Sequence, residues 1–220
     1  MGNLYTIATP IGNLEDFTLR AINTLKEVDI IACEDTRHTS ILLNHYDINK
    51  PLISYHQHSK IAKIDHLIAE LKSGKNIAIV TDAGTPGISD PGQVLINKAI
   101  EQNIIVIPIP GPSAVITALS AAGVPTDSFI YLGFLPHKKG RKTILDSFKD
   151  EKRTIVFYES THRIAKLLEE LKSIIGDRKI VVARELTKMY EEFLRGTVSE
   201  VQEKLKITKG EFVVIISAIK

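Results

Sequence analysis

The sequence predicts an α/β protein of two domains. The first has a mostly parallel sheet with flanking helices, the second a mixed sheet with helices. Three observations carry this. Apolar, largely β-branched runs at 4–8, 77–80 and 104–109 each break into glycine or proline, as a buried strand does on entering a tight loop. Helical stripes lie between strand-like runs, the alternation that builds a parallel sheet through right-handed crossovers. The character of the chain changes near residues 112–125, so the domains are drawn at 1–115 and 116–220.

The first strand, 4–8, ends in Thr9-Pro10-Ile11-Gly12-Asn13. Residues 17–27 form a helix with Phe17, Leu19, Ala21, Ile22 and Leu25 apolar. The second strand, 28–33, runs into Glu34-Asp35-Thr36-Arg37-His38, a group of ionisable residues at a strand tip. A helix over 37–46 follows, then an amphipathic helix over 59–73 whose stripe is Ile61, Ile64, Leu67, Ile68 and Leu71, stopped by Gly74. The strand at 77–80 leads into TDAGTPGISDPG, residues 81–92, where Gly84, Gly87 and Gly92 permit positive φ or close backbone approach. Asp90 is expected to cap the next helix, with Pro91 at its first position and Gln93 completing a capping box. That helix covers 93–102. The strand at 104–109 then enters Pro110-Gly111-Pro112-Ser113-Ala114. Three such loops at the carboxyl edge of a parallel sheet point to one shared pocket.

Residues 113–122 form a small, apolar helix ended by Gly123. A strand at 129–134 precedes the basic loop HKKGRK, residues 137–142. A strand at 153–158 leads into Glu159-Ser160-Thr161-His162-Arg163, with Ser160 or Thr161 as cap of a helix whose stripe is Ile164, Leu167, Leu168 and Leu171. Strands are expected at 179–183, 192–197 and 211–217, and a helix at 198–206. Arg184-Glu185-Leu186-Thr187-Lys188 follows the first of these strands.

With 220 residues the chain holds one large domain or two small ones, with ample core. The balance of 44% apolar and 25% charged residues is that of a soluble globular protein. No apolar run spans a bilayer and no secretory signal is visible, which points to the cytoplasm and away from membranes. The single cysteine, Cys33, excludes an internal disulfide and reads as a small buried hydrophobe. Charge is uneven: residues 1–110 carry 9 Lys/Arg against 12 Asp/Glu, and residues 111–220 carry 19 against 14. A basic second half suits a polyanionic partner.

Several chemistries are disfavoured. Gly84-Thr85-Pro86-Gly87 lacks the lysine of a phosphate loop. His56 and His58 have no third ligand at metal-site spacing, and no Gly-x-Ser-x-Gly elbow is present, so no metal is expected.

Seven segments in order carry a resemblance over essentially the whole chain: Thr9-Pro10-Ile11-Gly12-Asn13-Leu14, Glu34-Asp35-Thr36-Arg37, residues 82–92, residues 110–114, Phe157-Tyr158-Glu159-Ser160-Thr161-His162-Arg163, residues 183–188 and Lys209-Gly210-Glu211-Phe212. The chain resembles the ribosomal RNA branch of the tetrapyrrole methylase superfamily, the class III S-adenosylmethionine (SAM) methyltransferases. The resemblance implies a SAM cleft between the domains, a homodimer, and 2′-O-methylation of a decoding-centre cytidine of 16S rRNA in the small subunit, with no DNA partner. It also implies SAM contacts at Ile11, Gly12, Asn13, Ala83, Gly84, Thr85, Ile88, Ser113 and Ala114, with Tyr158 and Leu186 as second-domain contacts. Porphyrin-type members carry Gly-x-Gly-Pro-Gly-Asp in the first loop and Gly-Asp-Pro in the second. Those aspartates are absent here, which argues against a tetrapyrrole substrate.

Methyl transfer to a ribose hydroxyl needs alignment and a proton acceptor. Glu34 is the first candidate, matching the acidic position of porphyrin-type relatives, and Asp35 is its neighbouring rival. A structural alternative pairs Glu34 with Arg37 at i+3. Lys138, Lys139, Arg141 and Lys142 of the basic loop, with Arg163 and Arg184, are candidate RNA-phosphate contacts. Ion pairs with Glu159 and Glu185 are the alternative for the last two arginines. Two other functions are weighed: a class III methyltransferase for a tetrapyrrole, small molecule or protein, and a non-catalytic ribosome-binding module.

Overall fold

The computed structural model describes residues 1–56 and 61–219. The chain divides into two compact units, Met1–Ser113 and Ala114–Lys220. The expected helix start at Ser59 and the side chain of His58 lie outside the described residues.

The first unit contains β1 (Leu4–Ile7), α1 (Leu19–Glu27), β2 (Ile30–Cys33), α2 (Thr36–His45), β3 (Leu52–Ser54), α3 (Ile61–Lys72), β4 (Ile77–Ile79), α4 (Gln93–Glu101) and β5 (Val106–Ile109). Its sheet has the order β3-β2-β4-β1-β5 and every pairing in it is parallel. The period-two pattern of the strands explains why both faces are covered. Ile30, Ala32, Ile77 and Ile79 point to one side, where they bury with Leu67, Leu71 and Leu95 of α3 and α4. Ile31, Cys33, Ala78 and Val80 point to the other and bury with Ala21, Leu25, Leu42 and Leu43 of α1 and α2. Truncating a fully buried side chain such as Leu67 to alanine is expected to cost ~2–5 kcal/mol.

Local starts and stops differ from the sequence expectation in instructive ways. The helix expected over 17–27 begins at Leu19. Asn13 accepts from the Glu15 N–H and caps a 3₁₀ turn, Leu14–Asp16, after which Thr18 caps α1. Three-residue β3, which the sequence reading does not foresee, pairs along β2 at the sheet edge. Asp90 does not cap α4. Gly92 occupies that position without a side-chain cap, because Ser89 at φ 65° and Gly92 at φ 157° turn the chain there.

The second unit contains α5 (Ala114–Ala122), β6 (Phe129–Phe134), α6 (Arg141–Ser147), β7 (Thr154–Glu159), α7 (Ile164–Ile175), β8 (Lys179–Arg184), β9 (Glu192–Thr197), α8 (Val198–Lys204) and β10 (Phe212–Ile216). Its sheet, β6-β7-β10-β8-β9, is mixed: β6 and β7 are parallel and the other neighbours antiparallel. One face buries Ile155, Phe157, Ile180, Val182, Val214 and Ile216 against Leu145, Leu167, Leu171 and Val201 of the helices. Thr197 and Glu200 form a reciprocal capping box that starts α8. Arg163, not Ser160 or Thr161, takes the cap position of α7, since the Ser160 carbonyl accepts the N–H groups of Arg163 and Ile164 in a preceding turn. The basic stretch is only partly a loop, since α6 begins at Arg141.

Candidate active site

In the first unit the three glycine- and proline-rich loops meet. Thr9 and Gly84 exchange backbone hydrogen bonds of 2.9 and 3.0 Å, joining the loop after β1 to the loop after β4. The Thr9 hydroxyl donates to the Thr81 carbonyl at 3.0 Å. The Thr85 hydroxyl donates to the Pro112 carbonyl at 3.1 Å, joining the second loop to the third. Gly84 sits at φ 81°, and a Cβ there would lie 3.6 Å from Cγ2 of Ile11. A Cβ on Gly111 would come within 3.1 Å of the Ala8 side chain, so the third loop approaches β1 as closely as glycine permits. Ile11 is buried, while Gly12, Asn13, Ala83 and Ile88 are exposed and Thr85 and Ser113 half-buried. Strand order explains the meeting: β4 and β5 flank β1, so their carboxyl ends lie side by side.

Beside these loops the tips of β2 and β3 frame an open hollow of about 390 Å³ lined by Glu34, Asp35, Thr36, Arg37, Ser54, His56 and Asp82. Its two candidate proton acceptors differ. The Asp35 carboxylate caps α2 through the Arg37 N–H at 2.8 Å and also holds the Arg37 guanidinium at 2.7 and 3.1 Å. Those bonds hold its carboxyl far below the usual range, which makes it a poor base. Arg37 is thereby taken by Asp35, not by Glu34 as the structural alternative expected. Burial, then repulsion from Asp82, pushes the Glu34 carboxyl up. Sequence reasoning missed Asp90. Burial, then repulsion from Glu34 and Asp82, raises its carboxyl to about 6. The Asp-Pro-Gly pattern, so typical of a helix start, concealed it. Burial pushes the Cys33 thiol up, in keeping with a packing role. Among the described residues no group of His, Cys, Asp and Glu has metal-binding geometry, and no helix is long and apolar enough to cross a membrane.

In the second unit, β7 and β8 both run antiparallel to β10, so Glu159 and Arg184 flank Phe212 at one sheet edge. Tyr158 and Leu186 stand at that edge. Tyr158 packs against Tyr131 and Phe134 with ring centroids 5.4 and 5.3 Å away, and Leu186 is buried. Ser113 closes the first unit and Ala114 opens α5.

The six candidate RNA cations separate by environment. Lys138, Lys139 and Lys142 are exposed. The three arginines are turned inward. Arg141 is only 8% exposed and binds Glu170 at 2.7 Å and Glu159 at 3.4 Å. Arg163 binds Glu159 at 2.6 Å and the Leu135 carbonyl at 3.0 Å. Arg184 is held by Glu192 at 3.1 Å and the Lys209 carbonyl at 3.2 Å, not by Glu185, whose partner is Lys188. The ion-pair alternative thus has a partner for each arginine within the second unit, whereas the three lysines are the exposed members of the set.

Comparison with known proteins gives a consistent result. The model of the tetrapyrrole (corrin/porphyrin) methylases matches residues 3–202. A protein of Halalkalibacterium halodurans named ribosomal RNA small subunit methyltransferase I is 53% identical over 98% of this chain and 75% of its own length. The Thermotoga maritima protein of the same name is 48% identical over 99% of both chains. Among solved structures, diphthine synthase superposes with a TM-score of 0.76 at 12% identity over 98% of this chain and 90% of its own. A cobalt precorrin-4 methyltransferase reaches 0.70 at 19% identity over 97% and 94%. Those two likenesses establish the fold, and the two-unit architecture matches it. With sewn strand-end loops in the first unit and relatives near 50% identity along the whole chain, this protein belongs to the tetrapyrrole methylase family, in its ribosomal RNA small subunit methyltransferase I group.

Proposed function

We propose that this chain is a SAM-dependent methyltransferase that methylates the ribose 2′-hydroxyl of a decoding-centre cytidine in 16S rRNA, in the cytoplasm and as a homodimer. The observation that carries the reading is the joining of the three strand-end loops through Thr9, Gly84, Thr85 and Pro112. Such a backbone platform, opened by Gly84 and Gly111 and walled by Ile11, suits a donor with a flat base and a sulfonium-bearing methionine arm. Ile11, Gly12, Asn13, Ala83, Gly84, Thr85, Ile88, Ser113 and Ala114 are its proposed contacts, joined by Tyr158 and Leu186. When bound, SAM supplies the activated methyl group.

The chain's own residues have two tasks. The platform fixes the donor so that the hydroxyl oxygen approaches in line, a positioning effect worth up to ~7–11 kcal/mol. Glu34 takes the hydroxyl proton, and its raised carboxyl suits that role better than the depressed Asp35. Lys138, Lys139 and Lys142 hold phosphates and so set the register of the RNA without reading its sequence.

The test is ribose-methylation mapping of 16S rRNA from cells with and without the protein, together with label transfer from SAM to small-subunit particles in vitro. A decoding-centre 2′-O-methyl group lost with the protein is the expected result. Label appearing on a tetrapyrrole but not on the particle would overturn the substrate assignment. Absence of SAM binding by calorimetry would support a non-catalytic module.

A further inference from the structure

One carboxylate in the second unit is more deeply buried than any phosphate-facing role explains. The Glu159 side chain is fully buried at the end of β7, yet it is ringed by two guanidiniums. Its Oε1 accepts from the Ser160 N–H at 2.7 Å and pairs with Arg163 Nε at 2.6 Å, whose N–H donates to Ser160 Oγ at 3.2 Å. Its Oε2 accepts from both Nη atoms of Arg141 at 3.4 Å. A buried carboxylate of this kind is tolerable only when paired and hydrogen-bonded, and Glu170 balances the second arginine through bonds of 3.0 and 2.7 Å.

Both guanidiniums then reach past Glu159 to one target. Arg163 Nη1 donates to the Leu135 carbonyl at 3.0 Å and Arg141 Nη1 to the Pro136 carbonyl at 3.4 Å. These carbonyls immediately precede the basic stretch 137–142, and Arg141 lies within it. The segment between, with Lys138 and Lys139 exposed and Lys142 one residue beyond, is thus tied at both ends to one buried anion. Gly140 at φ 83° makes the bend that turns this segment into α6. None of the three lysines enters an ion pair among the described residues, whereas Arg141 and Arg163 both pair with Glu159.

We infer that Glu159 is a positioning residue for RNA binding: through Arg141 and Arg163 it fixes the backbone at Leu135 and Pro136 and so presets Lys138, Lys139 and Lys142 as a phosphate grip. Preorganisation is the physical gain, since cations held in place lose less conformational entropy when phosphates arrive. This inference rests on the proposed RNA substrate.

The experiment is a double-mutant cycle on RNA binding, read beside SAM calorimetry and steady-state kinetics. Glu159→Gln keeps the shape and removes the charge. Alone it is expected to raise the Kd and KM for small-subunit RNA about tenfold, with SAM affinity and kcat at saturating RNA within about twofold. In a K138A/K139A/K142A background the same change is expected to cost no further affinity. Additive losses in the two backgrounds, or a parallel fall in SAM affinity, would overturn the inference. Should Glu159→Gln fail to fold, Arg163→Lys keeps a charge beside Glu159 but loses the reach to the Leu135 carbonyl. Its expected signature is faster amide exchange confined to residues 136–140 with weaker RNA binding, and unchanged RNA binding would overturn the inference. If the unaltered protein fails to bind small-subunit RNA at all, the proposed function falls instead, which separates the two failures.

Discussion

Thr9 and Gly84, far apart in sequence, are bonded to each other twice through their backbones, at 2.9 and 3.0 Å. The pair is buried at Thr9 and ties the first two strand-end loops together. Since each net hydrogen bond is worth only ~0.5–1.5 kcal/mol, the importance of the pair is geometric. It sets the spacing of Ile11, Gly84 and Thr85, and Thr85 passes that spacing on to the third loop through the Pro112 carbonyl.

Gly84→Val is expected to break this platform. Valine at φ 81° costs ~1–3 kcal/mol in backbone strain, and its branched side chain meets Ile11. Calorimetry should show SAM affinity reduced at least about tenfold, with the melting temperature lowered by several degrees. Thr85→Val is the milder companion: with the Pro112 carbonyl left without its donor, stability should fall by ~1–2 kcal/mol and SAM affinity should weaken less than in Gly84→Val. Wild-type SAM binding in Gly84→Val would remove the platform from the donor site.

Glu34→Gln should separate binding from chemistry. The amide keeps the size of the side chain and loses the basic oxygen. SAM affinity is expected to stay within about twofold while turnover falls ~10²–10⁴-fold, the usual contribution of a general base. Asp35→Asn is the control: its carboxylate is committed to Arg37 and to the start of α2, so turnover should stay near the parent value and any loss should show in stability, read by urea denaturation. If instead Asp35→Asn lost turnover and Glu34→Gln did not, the two roles would be exchanged.

Much of the frame is legible in the residues. The unbroken apolar run Ile30, Ile31, Ala32 and Cys33 tells that both faces of the first sheet are covered, and the Gly/Pro breaks after three strands foretell loops that meet. What escaped is non-local. The pattern Asp90-Pro91-Gly92-Gln93 is a good helix start by propensity, but the turn at Ser89 and Gly92 overrides it and leaves the carboxyl near Glu34 and Asp82. No local pattern distinguishes an arginine that faces phosphate from Arg141, whose partner Glu170 lies 29 residues away. Strand β3, three residues long, is too short to show a period.

The displaced Asp90 gives a pH prediction. Its carboxyl is raised from 3.8 to about 6, so the folded state binds this proton more tightly than the unfolded chain does. The corresponding stability is fully present below pH 3.8 and is lost as pH rises through about 6. Asp90→Asn removes the charge that burial and repulsion from Glu34 and Asp82 disfavour. At pH 8 the variant should be more stable than the parent by of order 1–2 kcal/mol, and near pH 3.5 the two should be equal. Urea denaturation at both pH values measures this, and a constant difference across the range would exclude Asp90 as its source.

The three lysines give the last prediction. Phosphate contacts release counterions, so the logarithm of RNA affinity should fall linearly with the logarithm of salt concentration, at ~0.7 per contact for single strands. Replacing Lys138, Lys139 and Lys142 by alanine should reduce the magnitude of that slope by about 2 and weaken binding to all RNA sequences alike. Arg184→Lys should leave the slope unchanged, because Arg184 is buried with its guanidinium on Glu192 and the Lys209 carbonyl, and should show itself in thermal stability instead. Filter-binding titrations of a small-subunit RNA fragment at several salt concentrations provide the measurement. An unchanged slope in the triple variant, or a reduced one in Arg184→Lys, would reverse the division between lysines that meet RNA and arginines that hold the fold.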